Sequence, residues 1–318
     1  MEYIIIAFSV FFGFYLLFIL SNIFSFLYCK QSIESQKPSK LSVSVVVAIR
    51  NGSSSLENLI QDLLNQDYSG ELDFILVDDE SSDDTKKIIQ KFESDYSQIK
   101  YISSTQGNSN LRFKKKALDA GIQNSNGEIL LFTDVDCRVK PSWVSSMASC
   151  FNSADYVIGF SRAKSGRGFA NLFQRVDFLM LMFSASAVSN LRFPLACSGQ
   201  NQGYRRSLFN KVKGYEKISS LLMGDDSIFL QQCLKHQVRV TFCEDAGSYV
   251  FCRPEQTWKN LLLQRVRWAG DGNIMWKFNP IFYFIMISTV LSNFFILLLI
   301  INCSLYMLII IGLIKFFS

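Results

Sequence analysis

ILLFTDVDCR, residues 129–138, is an apolar run that breaks into two carboxylates one residue apart, Asp134 and Asp136. A buried strand that runs into paired acids sets them at the carboxyl end of a sheet, where open α/β sheets bind their ligands. Residues i and i+2 of an extended chain point the same way, so both carboxylates are expected to face one ion. Hard oxygen ligands of this kind suit Mg²⁺ or Mn²⁺, which keep further positions for water and a diphosphate. The competing reading is a solvated turn at a strand end, where Asp is common for its own reasons. The flanking chain has to decide between them.

Upstream, SVSVVVAIR (42–50) reads as a β-branched strand buried in a parallel sheet. A helical stretch at 56–65 follows, then a strand at 72–77 that ends in Asp78 and Asp79. A helix at 85–92, a strand at 99–103 and a helix at 114–122 lead back to the opening strand. This alternation is the pattern of a doubly wound, mostly parallel α/β sheet. Right-handed crossovers place every strand-to-helix turn on one edge, so Asp78, Asp79, Asp134 and Asp136 are expected to converge there. Downstream, 155–160 reads as a strand, and SRAKSGRG (161–168) as a basic, mobile loop. Residues 169–191 form an apolar helical stretch interrupted by Arg175 and Asp177, either a core helix or one lying in a membrane interface. LACSGQNQGYR (195–205) is a turn into a strand. Asp225 and Asp226 open a helix that runs to Leu234, a place where acids are commonly caps. Short strands are expected at 238–243 and 248–252, and a helix carrying QRVRW at 258–268.

The 318 residues are 49% hydrophobic and 19% charged, with the apolar residues concentrated at both ends. Residues 3–28 carry no charge and are long enough, at about 26 residues, to cross a ~30 Å hydrocarbon core. A cleaved signal peptide fits poorly: no positive residue precedes the run, and no small-x-small site follows it. Lys30, Lys37, Lys40 and Arg50 then place the central region in the cytoplasm by the positive-inside rule. Residues 31–40, with Pro38, read as a linker. Residues 280–318 hold one charge, Lys315, and are expected to make two tight crossings with a turn near 302–304, or one long tilted crossing. The net charge of +5 comes from basic residues spread along the chain, which argues against a nucleic-acid partner. Eight cysteines without a C-x-x-C pair, and a single histidine, His236, argue against a zinc site. Unpaired cysteines on this scale suggest a reducing compartment.

Seven motifs stand in order: VVVAIRN (45–51), VDDESSDDT (77–85), KKKALDAGI (114–122), TDVDC (133–137), SGQNQGYRR (198–206), GDD (224–226) and QRVRW (264–268). Together they resemble the membrane-bound glycosyltransferase family 2, which includes cellulose, chitin and hyaluronan synthases and many bacterial sugar transferases. The resemblance implies a GT-A domain over residues 41–278. A transmembrane helix at 1–29 and a linker at 30–40 would precede it, and a transmembrane region at 279–318 would follow. By the same resemblance, Asp78 and Asp79 hold the base and ribose of a nucleotide-sugar, with Asp84 helping to hold the turn. Lys114 and Lys115 sit near the nucleotide, and Asp134 near the ribose and sugar. Asp136 is the implied ligand of Mg²⁺ or Mn²⁺, and Asp226 the implied catalytic base beside Asp225. Gln264 and Arg267 would bind the donor, the planar Arg267 fork suiting diphosphate oxygens, and Trp268 would offer a flat face to the acceptor. The implied reaction inverts the anomeric centre. It moves a sugar, from UDP by family habit with GDP as the alternative, to a lipid-linked or saccharide acceptor. The implied setting is the cytoplasmic face of a bacterial inner membrane, in contact with membrane lipid, with an oligomer or partner subunit left open.

The chain departs from the family pattern in places. Ile49 and Gly52 stand where Pro and Glu are usual, DDES replaces DDGS, Asp119 replaces Asn, and Asp225 replaces Glu. Three rival activities follow from the same residues. A processive synthase needs more spanning helices than three to enclose a channel, and so partner subunits. A catalytically dead binding scaffold is opposed by the intact Asp136 and Asp226. A nucleotidyltransferase on the same fold is opposed by Q-x-x-R-W and the second acid pair.

Overall fold

The computed structural model describes residues 2–29, 39–302 and 305–316. Most of the expected linker at 30–40, and the core of the expected turn at 302–304, lie outside the described residues. The chain divides into two compact units, one of residues 31–267 and one of residues 1–30 with 268–318.

In the larger unit the expected alternation is present. It runs β1 (Val43–Ile49), α2 (Ser53–Leu64), β2 (Leu72–Asp78), α3 (Thr85–Asp95), β3 (Ile99–Ser103), α4 (Phe113–Gln123) and β4 (Ile129–Phe132), after a first helix α1 (Glu2–Tyr28) that belongs to the other unit. Then come β5 (Arg138–Val139), α5 (Trp143–Cys150), β6 (Tyr156–Gly159), β7 (Ser161–Ala163), α6 (Phe169–Asn190), β8 (Gln202–Arg205), α7 (Arg206–Lys211), α8 (Ser227–Leu234), β9 (Val240–Cys243), β10 (Val250–Cys252) and α9 (Trp258–Ile274).

The main sheet has the order β3-β2-β1-β4-β8-β6-β9. The β1 strand is buried along nearly its whole length and pairs in parallel with β2 (Ile49 opposite Asp78) and with β4 (Val46 opposite Phe132). Its valines and isoleucine have helices on both faces, which is why the run is continuous rather than alternating. The β8 strand is antiparallel to both of its neighbours, β4 and β6, while β6 and β9 are parallel. The sheet is therefore mostly parallel with one reversed strand. A second, three-stranded sheet has the order β5-β10-β7. The stretch expected as a basic loop thus begins as a strand, β7, held by β10 (Phe251 opposite Arg162).

Helix α6 packs on β7 and β9 and buries Asn171, Gln174 and Ser189 on that face. Asn171 bonds the backbone of Lys164 and Gly166, Gln174 accepts from Glu255 N at 2.8 Å, and Asp177 pairs with Arg265. Its other face exposes Phe169, Leu172, Phe173 and Val176.

In the smaller unit, α1 packs against α10 (Pro280–Asn302) through Phe11 and Phe14, which meet the Phe284 ring. Helix α11 (Leu305–Phe316) follows, and Lys315 Nζ lies 3.9 Å from the Tyr15 ring centre. Helices α1, α6 and α10 are long and apolar enough to cross a membrane. The seven described cysteines are all free, six of them buried.

Candidate active site

Strand β4 ends at Phe132, and the chain turns at once: Cys137 N donates to Asp134 O at 3.0 Å. Asp134 and Asp136 therefore sit in a turn and not on an extended strand. The i, i+2 spacing therefore does not by itself set their direction, because the strand stops two residues before the first acid. Asp134 is half-buried and turns to Lys114 at the start of α4, with Nζ to Oδ1 at 2.7 Å. Asp136 is exposed, and its carboxyl is pushed up by desolvation in the cleft and by the charge of Asp134.

The second acid pair approaches from α8. Gly224 takes φ +104°, a conformation that spares glycine the usual Cβ clash, and the chain then delivers Asp225 and Asp226. Asp226 does cap α8, its Oδ1 accepting from Ser227 N at 2.5 Å, while Oδ2 accepts from Gly199 N at 3.3 Å. Asp225 is 6% exposed, and its Oδ2 lies 3.4 Å from Lys114 Nζ. A methyl group at Gly199 would stand 3.5 Å from Asp225 Oδ2, 3.5 Å from Lys114 Nζ and 3.6 Å from Asp226 Oδ2. Three ionisable groups thus meet around one point that glycine leaves open. Burial works against the Lys114 ammonium, but the charges of Asp134 and Asp225 outweigh it and hold it protonated well above the ordinary lysine range.

Beside these groups opens a cleft of about 610 Å³. Lys114, Asp134 and Asp136 line it together with Arg50, Arg253, Arg267, Gln264, Asn260 and Gln200. The Gln200 side-chain oxygen is buried without a hydrogen-bond partner. Three guanidinium groups facing carboxylates make a lining that suits a diphosphate and a cation together. Among the described residues, no group of three or more His, Cys, Asp or Glu side chains could hold a metal alone. Asp134 and Asp136 do fit a hard divalent cation whose remaining positions are filled by phosphate oxygens, the habit of Mg²⁺ sites.

The other expected residues fall as follows. Asp78 is buried at the end of β2, where Oδ1 accepts from Ser81 N at 3.2 Å, and Asp79 N donates to Ile49 O at 2.7 Å. Both lie on the same sheet edge as Asp134, with β1 between, and outside the cleft lining. Asp83, and not Asp84, holds the turn: it accepts from Ser53 N and from the Thr85 hydroxyl, while Asp84 pairs on the surface with Lys87. The Thr85 hydroxyl, then Ser53, holds the Asp83 carboxyl below its ordinary range.

Lys115 does not reach the cleft. It is 1% exposed and donates to Leu221 O at 2.5 Å and Met223 O at 2.8 Å, because the next helical position points some 100° away from Lys114. Gln264 lines the cleft and donates to Glu255 at 3.4 Å. Trp268 follows Arg267 on α9 and opens the second segment, 268–318, of the other compact unit. Sequence reasoning assigned no role to Arg253, Gln200 or Asn260. Arg253 is brought in by β10, a strand of three residues next to Pro254 that carries no motif.

Residues 44–213 match the family model described as Glycosyl transferase family 2, and residues 129–318 match Glycosyl transferase family group 2. "Probable glycosyltransferase YdaM" of Bacillus subtilis is 24% identical over 76% of this chain and 58% of its own length. The GalNAc(5)-diNAcBac-PP-undecaprenol beta-1,3-glucosyltransferase of Campylobacter jejuni is 30% identical over 46% of this chain and 50% of its own length. The chain thus spans between half and three-fifths of these two relatives. Mannosyltransferase PcManGT from Pyrobaculum calidifontis, solved with GDP-Man and Mn²⁺, covers 100% of this chain and 92% of its own, with TM-score 0.66 at 17% identity. That likeness shows a shared fold, the GT-A fold.

Proposed function

The chain belongs to glycosyl transferase family 2, and on that premise we propose that it is an inverting glycosyltransferase. It moves a sugar from a nucleotide-sugar, a UDP-sugar by family habit, to a hydroxyl of a lipid-linked or saccharide acceptor at the cytoplasmic face of a membrane. Residues 41–278 form the catalytic domain, and 1–29 and 279–318 anchor it. The observation that carries the reading is the meeting of Asp134, Lys114, Asp225 and Asp226 beside an arginine-lined cleft.

Arg253 and Arg267 hold the diphosphate by charge-assisted hydrogen bonds. Asp78 and Asp79, one strand further along the edge, hold the base and ribose. Asp134 and Asp136 would hold a divalent cation, which when bound neutralises charge developing on the departing diphosphate. Asp226 takes the proton of the attacking hydroxyl as the new bond forms. Its Oδ1 and Oδ2 are fixed by Ser227 N and Gly199 N, so the carboxylate is oriented before an acceptor arrives. Attack from that side, opposite the leaving group, inverts the anomeric carbon. A lipid-linked acceptor is supported by the Campylobacter relative, which is named for an undecaprenol-diphosphate saccharide.

The test is release of free nucleoside diphosphate by the purified chain in nanodiscs. A panel of nucleotide-sugars would be offered with membrane lipid extract, with Mn²⁺ or Mg²⁺ and with chelator. Metal-dependent release from one donor, lost in Asp136→Asn and Asp226→Asn, is the expected outcome. Release that survives Asp226→Asn would remove that residue as the base, and no release from any donor would overturn the transferase reading. A ladder of long products would instead favour a processive synthase.

A further inference from the structure

Two pairs of carboxylates flank Lys114: Asp134 with Asp136 after β4, which line the cleft, and Asp225 with Asp226 before α8. Lys114 stands between the pairs, 2.7 Å from Asp134 Oδ1 and 3.4 Å from Asp225 Oδ2. Among the described residues Asp136 makes no ion pair of this kind, and Lys114 and Arg253 act on it only through their charge. One member of the cation-binding pair is therefore neutralised from within, and the other is not.

An ammonium and a divalent cation compete for the same carboxylate. Two carboxylates one residue apart attract a cation more strongly when neither is already paired. With Asp134 already engaged, a cation gains little from this pair alone. It gains enough when it arrives with a further set of anionic oxygens, which a nucleoside diphosphate carries. We infer that Lys114 is a built-in counter-ion that keeps a lone divalent cation off Asp134 and Asp136 and makes cation binding depend on the nucleotide. When nucleotide and cation arrive, Lys114 leaves Asp134 and keeps Asp225. It then stays beside the acceptor-side acids and the point left open by Gly199. Lys114 is thus a positioning residue, acting through the carboxylates it releases and retains. This inference rests on the reading of the cleft given above.

The test is binding of Mn²⁺ alone, followed by electron paramagnetic resonance, to the full chain in nanodiscs of zwitterionic lipid. Wild type should bind Mn²⁺ weakly. Lys114→Met and Lys114→Gln, which remove the charge, should bind it at least about tenfold more tightly. Lys114→Arg, which keeps the charge, should stay like wild type. The side chain is 37% exposed, and the buried structural bonds of this turn belong to Lys115, so these variants should fold. Affinities in Met and Gln within about twofold of wild type would overturn the proposal, as would Arg behaving like Met. A separate control adds UDP or GDP to Asp136→Asn. Mn²⁺ binding that survives there would sink the reading of the cleft itself. If the control holds and the lysine variants show no change, only the role of Lys114 fails.

Discussion

Lys114 and Lys115 are neighbours in sequence with opposite duties. Lys115 spends its charge on two carbonyls of the segment that leads into Gly224, Asp225 and Asp226. Lys115→Met would take the partner from Leu221 O and Met223 O in a half-buried place, at a cost of up to about 1–3 kcal/mol for each carbonyl. The expected result is a lower unfolding midpoint and a reduced kcat, with nucleotide affinity little changed. Nucleotide affinity falling as far as kcat would instead place Lys115 in the donor site. Asp226→Asn should keep the α8 cap, because the amide oxygen can still accept from Ser227 N, yet lose about 10²–10⁴-fold in turnover. A melting curve beside the rate separates the two effects. At this scale the motifs named the acids but not their surroundings. KKKA does not say which lysine faces inward, since that depends on where α4 starts, and α4 starts at Phe113 with φ +54°. Likewise, SSDDT does not say which aspartate folds back on Ser53 and Thr85.

Helix α4 lies close on the sheet because Gly121 lets it. A Cβ there would come within 2.4 Å of Val46 Cγ1 and 2.9 Å of Val77 Cγ2. Gly121→Ala should therefore destabilise by about 1–3 kcal/mol despite the better helix propensity of alanine. A urea midpoint unchanged or raised would show that the helix can lift away. On the far side of the sheet, Asp155 ties the start of β6 to Arg239 before β9, with Nε to Oδ2 and Nη2 to Oδ1 both at 3.2 Å. Burial alone would raise the Asp155 carboxyl, but the Arg239 hydrogen bonds, then the charges of Arg239 and Arg205, hold it below its ordinary range. A depressed value in the folded state means stability that is present above the unfolded value of about 3.9 and lost as pH falls through the folded one. Asp155→Asn should accordingly cost up to about 1 kcal/mol near neutral pH, and progressively less as pH falls below the unfolded carboxylate value of about 3.9. Urea midpoints of wild type and variant that stay apart at acid pH would contradict this. The elements legible in the sequence were those with their own periodicity: β1 to β4 and the helices between them. Helices α5 and α7 and strands β5 and β7 have eight residues or fewer. They depend on partners far along the chain, such as β10 for β7, so local pattern could not report them.

Seen whole, the chain has a larger unit and a smaller unit built on α1 and α10, and only composition told the two apart in advance. Composition alone does not place α6, which is long and apolar enough to span a membrane. Its buried Asn171 and Gln174 and the Asp177–Arg265 pair bind it into the larger unit. It should not cross. Cysteines introduced at Ser165 and Arg192, exposed positions before and after α6, should react with an impermeant thiol reagent from the same side of the membrane. Labelling from opposite sides would make α6 a crossing. Helix α11 has 12 described residues and so rises about 18 Å, against a hydrocarbon core of ~30 Å. The reversal of strand β8 was also invisible in the sequence, although the strand itself was not, since direction within a sheet is set by what a strand joins. That strand governs the order of assembly on the ribosome. Strands β1 to β4 can close a parallel half-sheet as soon as they emerge. Strand β6, made next, has no place in the sheet until β8 is synthesised to bridge it to β4. At about 5–20 residues per second that wait lasts on the order of 2–9 s. During it the newborn protein carries an open edge at β4, where Asp134 and Asp136 stand without Asp225 and Asp226.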